Sequence, residues 1–342
     1  MLRLAASSSL KFSRSFSMTV PASSSPRHLV SMLELSNTEL KSLVDRALHF
    51  KTQIKSGEKA PKEVSEALLG KLVALIFSKR STRTRISTEG AAVYFGGHPM
   101  FLGKDDIQLG VNESFYDTTR VVSSMTSCIF ARVNSHSEIQ ELCKHSSVPI
   151  INALCDKFHP LQAIADLVTI KETYGDLKGL KLAWIGDSNN VINDLAVAAL
   201  RFGINVSVAT PTGADFDTSI AEQASKIGQE NGAAFTLTHN PLEAAHEADI
   251  LVTDTFVSMG QEAEALQKLQ QFAGFQITNE LAKKAGAKPD WKFMHCLPRH
   301  HEEVDDEVFY SDRSIVFQEA ENRLYAALAA IEGFVINKGK LE

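Results

Sequence analysis

The sequence predicts an α/β protein made of two doubly wound domains with parallel sheets. Short apolar runs rich in β-branched residues alternate with segments of helical periodicity along the chain. Most of these runs are continuous, as in strands that a parallel sheet buries on both faces. A predicted helix ends at Gly175 and a new strand follows, which divides the chain into two halves of similar size near residues 160–180.

The elements follow in order along the chain. The predicted strands are 72–77, 128–132, 149–152, 182–186, 205–209, 249–253 and 292–295. The predicted helices are 37–55, a helix that continues from the turn 77–85 and stops at Gly96-Gly97, then 160–174, 194–202, 218–231 and 319–331. The stretch 57–66 is predicted to be a surface loop. Ligands of open α/β sheets bind beyond the carboxyl ends of strands, so the side chains at those ends are the candidates for a site.

The composition is that of a globular protein with a negative net charge. The 342 residues are 44% hydrophobic and 22% charged, and the formal net charge is −6. This charge gives a nucleic-acid role no support, and no apolar run has the length of a membrane span. The four cysteines form no Cys-x-x-Cys pair, which argues against a zinc ribbon or a disulfide scaffold and for a reducing compartment.

The N-terminal 27 residues differ from the rest of the chain. They are rich in serine, carry four basic residues and contain no acidic residue. This pattern predicts a mitochondrial transit peptide and hence a matrix protein, with a disordered native tail or a chloroplast leader as alternatives. Without those four positive charges the remainder has a net charge of −10.

The segment 77–85, Phe-Ser-Lys-Arg-Ser-Thr-Arg-Thr-Arg, follows the first predicted strand. A strand-to-helix turn exposes unpaired N–H groups at the helix N-terminus, where anions bind. The hydroxyls of Ser81, Thr82 and Thr84 add donors. Arg80, Arg83 and Arg85 add forked positive charge suited to phosphate oxygens. The segment therefore predicts a phosphate site, against the alternative of a solvated basic face.

Three further candidates in the first half follow strands. Arg132 ends a predicted strand and is either a surface cap or a crevice residue. His159 precedes Pro160, which suits the first position of a helix. His159, Gln162 and Asp166 fall on one face of that helix, away from its apolar stripe, so His159 and Gln162 either line a site or cap and solvate the helix.

The second half offers polar residues at the ends of its own strands. The turn after 182–186 has only Gly186 before the helix, which disfavours a dinucleotide site, and its asparagines suit a carboxylate. Asp254 could pair with a substrate ammonium or cap a turn. Cys296 could lie in a site or be a plain buried cysteine, and Arg323 on the last helix is either a surface charge or a crevice residue. A metal site at His295, Cys296, His300 and His301 is disfavoured by the spacing.

In chain order these motifs resemble the aspartate/ornithine carbamoyltransferase family. Ser-Thr-Arg-Thr-Arg at 81–85 and His-Pro-Leu-Gln at 159–162 resemble its carbamoyl phosphate motifs. Further stretches resemble motifs of the ornithine branch of the family: Asp-Thr-Phe-Val-Ser-Met-Gly at 254–260, His-Cys-Leu-Pro at 295–298, and Gly-Val-Asn-Glu-Ser at 110–114 with Asp-Thr at 117–118. The resemblance extends from about residue 28 to the C-terminus.

The resemblance implies transfer of a carbamoyl group from carbamoyl phosphate to ornithine, without a metal or an organic cofactor. It implies a carbamoyl phosphate domain at 28–170, completed by a C-terminal helix at 319–342 that packs back on it, and an ornithine domain at 171–318. It also implies a homotrimer. The carbamoyl phosphate contacts carried over are Ser81, Thr82, Arg83, Thr84, Arg132, His159, Gln162, Leu297 and Arg323. The ornithine contacts are Asn190, Asp254, Ser258, Met259 and Cys296.

The same resemblance assigns roles to these residues. The catalytic set is Arg132, His159, Asp254 and Cys296. Arg132, His159 and Thr84 would polarise the carbamoyl oxygen, and Gln162, Arg323 and the backbone of Leu297 would hold the carbamoyl NH₂. Asp254 would hold the α-ammonium of ornithine and Asn190 its carboxylate, beside Ser258 and Met259. Cys296 would lie near the side-chain amine, with an ordinary thiol pKa near ~8.5.

Other functions remain as alternatives from the sequence. The acceptor could be aspartate, putrescine or N-acetylornithine instead of ornithine. A phosphate-binding protein without catalysis would be expected to lack some of Arg83, His159, Asp254 or Cys296, and all four are present. An NAD-dependent enzyme is disfavoured by the missing glycines around Gly186.

Overall fold

The computed structural model describes residues 25–107, 109–110, 112–257 and 265–342. The strands are β1 Leu72–Phe77, β2 His98–Gly103, β3 Cys128–Arg132, β4 Ile150–Leu154, β5 Lys181–Ile185, β6 Asn205–Ala209, β7 Phe235–Thr238, β8 Ile250–Thr253 and β9 Lys292–His295. The first sheet has the order β2-β1-β3-β4 and the second the order β7-β6-β5-β8-β9. Every pairing between these strands is parallel, so the predicted α/β class with two parallel sheets is confirmed.

Helices connect and cover the strands. They are α1 Asn37–Ser56, α2 Lys62–Ser65, α3 Thr82–Tyr94, α4 Phe115–Met125, α5 His136–His145, α6 Pro160–Tyr174, α7 Asn190–Arg201, α8 Thr218–Asn231, α9 Pro241–Ala245, α10 Ala265–Gln271, α11 Asn279–Ala285, α12 Asp306–Phe309 and α13 Val316–Ala330. A π-helical segment, Ile331–Ile336, extends α13. Helix α13 packs against α1, α3 and α6, which confirms that the C-terminal helix returns to the first domain. Among the described residues, no helix is long and apolar enough to cross a membrane.

The sequence missed two strands, β2 and β7. Both lie at the edge of a sheet. Their residues are mostly half-buried or exposed, so neither strand shows the continuous apolar run that marked the central strands. The prediction therefore found the buried strands, including the edge strands β4 and β9, and missed the two edge strands whose residues are half-exposed.

Two predicted helix boundaries and one predicted loop were also wrong. Helix α7 begins at Asn190 rather than 194, because the side chain of Asn189 accepts hydrogen bonds from the first-turn N–H groups of Val191 and Ile192. Helix α13 begins at Val316, three residues before the predicted start. The predicted loop 57–66 contains the short helix α2.

The two sheets bring their carboxyl ends to one place. Strand order reverses between β1 and β3 in the first sheet and between β5 and β8 in the second. At such switch points the loops diverge and leave a crevice. Ser81 caps α3 just after β1 by accepting a hydrogen bond from the N–H of Thr84. The loops after β1, β3, β5 and β8 all contribute to one cavity.

The N-terminal part of the described chain is tied to the first domain. Arg27, which the sequence placed in the leader, forms an ion pair with Glu39 on α1 and donates to the carbonyl oxygen of Gly339 at 3.0 Å. Glu39 also completes a capping box with Ser36. The folded part therefore includes Arg27, while leader residues 1–24 lie outside the described residues.

Glu39→Gln is expected to lower the free energy of unfolding by about 0.5–1 kcal/mol near neutral pH, because it removes the ion pair with Arg27. The hydrogen bond from Arg27 lowers the pKa of Glu39 from 4.5 to about 2. The stabilisation is therefore complete above pH 4.5 and is lost as the pH falls toward 2. Urea unfolding across this range measures it, and the two proteins should converge at the acid end.

Glu63→Gln is the matched control, since Glu63 is an exposed glutamate in the first turn of α2. Its effect should be small at every pH. A difference between wild type and Glu39→Gln that stayed constant from neutral to acid pH would show that the ion pair with Arg27 does not contribute.

Candidate active site

One cavity of about 620 Å³ lies between the two sheets. Every predicted site residue that the structure describes lines it: Ser81, Thr82, Arg83, Thr84, Arg132, His159, Gln162, Asn190, Asp254, Cys296, Leu297 and Arg323. Ser258 and Met259 lie outside the described residues. Of the Gly-Val-Asn-Glu-Ser motif at 110–114, Ser114 caps α4 and Gly110 lines a separate cavity of about 370 Å³.

The N-terminus of α3 forms one wall of the main cavity. The partial positive charge of a helix N-terminus and its free N–H groups suit an anion. The guanidinium of Arg83 donates to the backbone carbonyl oxygen of Leu297, in the loop after β9 of the second sheet. Arg85 points elsewhere, since it pairs with Glu89 at 2.8 Å and lies over the ring of Phe101. Arg83, and not Arg85, is thus the arginine of this helix that lines the cavity.

Two more arginines are buried beside the cavity. Arg132 is only 6% exposed and Arg323 only 3% exposed, and the Nε atom of each has no hydrogen-bond partner. Burial, followed by repulsion between guanidinium groups, lowers the pKa of each to about 10. Both remain charged at neutral pH, so the site carries concentrated positive charge that an anion would neutralise.

His159 lies among these arginines and is neutral. Burial and the charges of Arg323, Arg132 and Arg83 lower its pKa well below 6.5. Its Nε2 atom lies 3.5 Å from Nη1 of Arg323, and its Nδ1 atom has no partner. Its backbone N–H donates to Asp194 of α7 at 2.8 Å, so a residue of the second half fixes the start of α6. His159 therefore acts as a hydrogen-bonding imidazole, and its side chain does not cap the helix.

Gln162 is held by three side chains. Its Oε1 atom accepts a hydrogen bond from Nη1 of Arg323 at 2.6 Å. Its Nε2 atom donates to Asp166 at 2.8 Å and to Glu319 at 3.0 Å. The sequence placed Asp166 on the face of His159 and Gln162, and named Glu319 at the start of the last helix, but assigned neither to the site.

Arg323 cannot play the role that the resemblance implied. A guanidinium carries five N–H donors and no acceptor. It therefore cannot accept a hydrogen bond from a carbamoyl NH₂, although it can donate to an oxygen. The other implied partners, Oε1 of Gln162 and the carbonyl oxygen of Leu297, are acceptors and remain suitable.

The opposite wall carries negative charge. The carboxylate of Asp254, at the end of β8, accepts from the thiol of Cys296 at 3.1 Å and from Nδ2 of Asn189 at 2.8 Å. Asn190 donates to the carbonyl oxygen of Cys155 at 2.5 Å, which fixes its amide at the cavity edge. Burial and the charge of Asp254 raise the pKa of Cys296 well above 9.0. The expectation of an ordinary thiol pKa is therefore wrong, and Cys296 is a neutral donor.

A buried histidine and glutamate support the two loops that carry Asp254 and Cys296. Nδ1 of His295 accepts from the N–H of Leu297 at 2.9 Å, and its Nε2 atom lies 2.9 Å from Glu303. Glu303 also accepts from the backbone N–H of Phe256 and of His300. Sequence reasoning missed Glu303, because nothing in its local pattern signals these contacts. Both ring nitrogens of His295 are engaged, so the cluster of Asp254, His295 and Cys296 has no free imidazole for a metal.

Comparisons with known proteins cover both halves of the chain. The family model described as "Aspartate/ornithine carbamoyltransferase, carbamoyl-P binding domain" matches residues 27–172, and "Aspartate/ornithine carbamoyltransferase, Asp/Orn binding domain" matches residues 178–332. The chain is 65% identical over 332 residues to the mitochondrial ornithine transcarbamylase of Pachysolen tannophilus, covering 96% of this chain and 94% of the relative.

The chain is also similar to solved structures of ornithine carbamoyltransferases. The fold is similar to a mitochondrial ornithine carbamoyltransferase from Coccidioides immitis, with a TM-score of 0.87 and 56% identity over 93% of this chain and 100% of that one. The ornithine carbamoyltransferase from Pyrococcus furiosus gives a TM-score of 0.86 and 41% identity over 92% of this chain and 98% of that one.

Iodoacetamide is expected to alkylate Cys296 slowly at about pH 8, because thiolate is the reactive form. Asp254→Asn removes the neighbouring negative charge and should accelerate the reaction, since burial and that carboxylate hold the pKa of Cys296 high. Peptide mass spectrometry gives the rate at each cysteine. Cys143 is the internal control, because burial raises its pKa to about 12 and Asp254 has no part in that shift.

Two results would contradict this account of the thiol. Either Cys296 reacts in the wild type as fast as a free thiol, or Asp254→Asn leaves its rate unchanged relative to Cys143.

Proposed function

The chain belongs to the aspartate/ornithine carbamoyltransferase family, and on that premise we propose that it transfers the carbamoyl group of carbamoyl phosphate to the side-chain amine of L-ornithine. The products are L-citrulline and phosphate. One observation carries this proposal: a single cavity has an anion-binding wall around Arg83 and an acidic wall around Asp254. The two walls match a phosphate donor and an ammonium-bearing acceptor.

Carbamoyl phosphate binds with its phosphate at the N-terminus of α3. The N–H groups of residues 81–84 and the hydroxyls of Ser81, Thr82 and Thr84 donate to the phosphate oxygens. Arg83 and Arg132 supply positive charge, which stabilises the phosphate as it leaves. Preorganised charge is most effective in a site that excludes water, and both Arg132 and Thr84 are buried.

The carbamoyl group lies between α6 and the loop after β9. Arg132, Thr84 and the neutral imidazole of His159 stabilise the negative charge that develops on the carbamoyl oxygen. Arg323 adds a further donor there. The carbamoyl NH₂ donates to Oε1 of Gln162 and to the carbonyl oxygen of Leu297. These contacts hold the donor in position for direct attack, and no covalent intermediate is needed.

Ornithine binds at the acidic wall. Asp254 pairs with the α-ammonium and Asn190 donates to the α-carboxylate, with Ser258 and Met259 alongside. A lysine-like amine has a pKa of ~10.4, so at about pH 8 only about one molecule in 250 is neutral, a cost of ~3.3 kcal/mol. Because the pKa of Cys296 is raised, its thiol is not a base at this pH and orients the amine by hydrogen bonding. The site therefore selects the neutral amine.

The domain roles and assembly follow from the same proposal. Residues 28–170 with 319–342 form the carbamoyl phosphate domain, and residues 171–318 form the ornithine domain. The chain assembles as a homotrimer, which is the assembly that the family resemblance implies. It is a mitochondrial protein, like the relatives from Pachysolen tannophilus and Coccidioides immitis, and acts in the matrix.

The assay of acceptors tests the function. Purified protein with carbamoyl phosphate is expected to form citrulline from ornithine, and to turn over aspartate, putrescine and N-acetylornithine at least about 100-fold more slowly in kcat/KM. Aspartate brings a second carboxylate toward Asp254, and putrescine has no carboxylate for Asn190. Equal turnover of putrescine and ornithine would refute the ornithine assignment.

Arg83→Ala tests the phosphate cradle, with Arg85→Ala as the matched control on the same helix. Loss of Arg83 should lower kcat/KM for carbamoyl phosphate by about 100-fold or more, because a charged group that stabilises the leaving phosphate is removed. Arg85 does not line the cavity, so its loss should change kcat/KM by less than about twofold. The melting temperature of each variant reports folding, and near-normal turnover in a folded Arg83→Ala protein would exclude the cradle.

A further inference from the structure

Two buried carboxyl groups meet behind the cavity, and the mechanism above uses neither. Asp166 on α6 is 1% exposed and Glu319 on α13 is 1% exposed. The two groups are hydrogen-bonded to each other. Both also accept from the same amide nitrogen, Nε2 of Gln162, at 2.8 and 3.0 Å. The second oxygen of Glu319 accepts the backbone N–H of His295 at 2.9 Å.

Two carboxylates at hydrogen-bond distance in a buried site cannot both be ionised at low cost, so the pair keeps one proton. Burial raises the pKa of Asp166 to about 7, and burial with the charge of Asp166 raises that of Glu319 well above 4.5. The charged neighbours are Arg323 on α13 and Asp254 at the end of β8, with the thiol of Cys296 after β9. Asp166 and Glu319 together therefore carry one negative charge. The shared proton is the only donor of the two groups, and their remaining oxygens accept hydrogen bonds.

A glutamine side chain can lie in two orientations that exchange its oxygen and its NH₂. Asp166 and Glu319 both accept hydrogen bonds from the NH₂ group of Gln162. Arg323 donates a hydrogen bond to the amide oxygen of Gln162. Together they fix one orientation. Reversing the amide would set its NH₂ against a guanidinium and its oxygen against two carboxyl groups, with the loss of three hydrogen bonds.

We propose that Asp166 and Glu319 form a proton-sharing pair of positioning residues that orients the amide of Gln162, so that its oxygen is presented to the carbamoyl NH₂. The inference rests on the proposed function, because it names residues that act on the same site. The pair also joins α6 and α13 of the first domain to β9 of the second through the N–H of His295. It therefore links the carbamoyl contact to the strand that leads into Cys296.

The test compares two variants at one position. Asp166→Asn keeps an oxygen for Gln162 and an N–H donor for Glu319, so the KM for carbamoyl phosphate should stay within about twofold of wild type. Asp166→Leu keeps the volume but removes both the oxygen and the donor, so the amide of Gln162 is no longer oriented. The KM for carbamoyl phosphate should then rise about tenfold, as expected when the one hydrogen bond between Gln162 and the carbamoyl NH₂ is lost. Steady-state kinetics with each substrate varied gives the values.

A second test compares two variants of glutamates on α13. Both oxygens of Glu319 accept N–H groups, so Glu319→Gln sets an NH₂ against one of them and should raise the same KM about tenfold. Glu321→Gln is the control, since Glu321 pairs with Lys55 away from the cavity, and should change KM by less than about twofold. If Asp166→Leu does not fold, as judged by circular dichroism, Glu319→Gln carries the test.

A double-mutant cycle distinguishes positioning from a general structural role. In a Gln162→Ala background, Asp166→Leu or Glu319→Gln should cause little further rise in KM, because the group they orient is gone. Full additivity in that background would overturn the inference, as would an Asp166→Asn variant as impaired as Asp166→Leu, or an unchanged KM in both disruptive variants. A wild-type protein that forms no citrulline would instead refute the proposed function.

Discussion

Concentrated positive charge in a buried cavity is the constraint on which the site depends. Arg83, Arg132 and Arg323 lie close enough that repulsion contributes to the lowered pKa of Arg132 and of Arg323. Burial of like charges is unfavourable, and the surrounding structure must compensate for it. The N-terminus of α3 cannot do so, because its own partial charge is positive. Asp166 and Glu319 compensate part of the charge of Arg323, and the anionic carbamoyl phosphate adds further negative charge.

Charge separation across the cavity explains how one site accepts two charged substrates. The guanidinium groups come from the first domain and its returning helix α13, and Asp254 comes from the second. Cys296 adds no charge, because burial and Asp254 keep it a thiol. The neutral imidazole of His159 likewise adds a hydrogen-bonding group without more positive charge. In the proposed function, each substrate therefore meets the opposite charge on its own wall.

The sequence indicated which side chains line the cavity where the end of a strand leaves a local signal. Arg83 lies in a hydroxyl-rich strand-to-helix turn, and Asp254 and Cys296 follow predicted strands, so all three were candidates from the sequence. Glu303 could not be identified from the sequence, because its contact with Phe256 joins residues 47 positions apart. Asp194 is similar: it accepts N–H groups from Met32 and His159, both in the first half of the chain. The edge strands β2 and β7 were missed because their half-exposed residues lack a continuous apolar run.

The return of α13 to the first domain has a consequence for how the protein matures. Arg323 and Glu319 lie within the last 24 residues, yet they contact Thr84, Gln162 and His159 of the first half. A chain made and imported from its N-terminus can therefore build both sheets before it has a complete site. Catalytic competence arrives with the final helix, so an incomplete chain on a ribosome or in an import channel lacks part of its carbamoyl-binding wall.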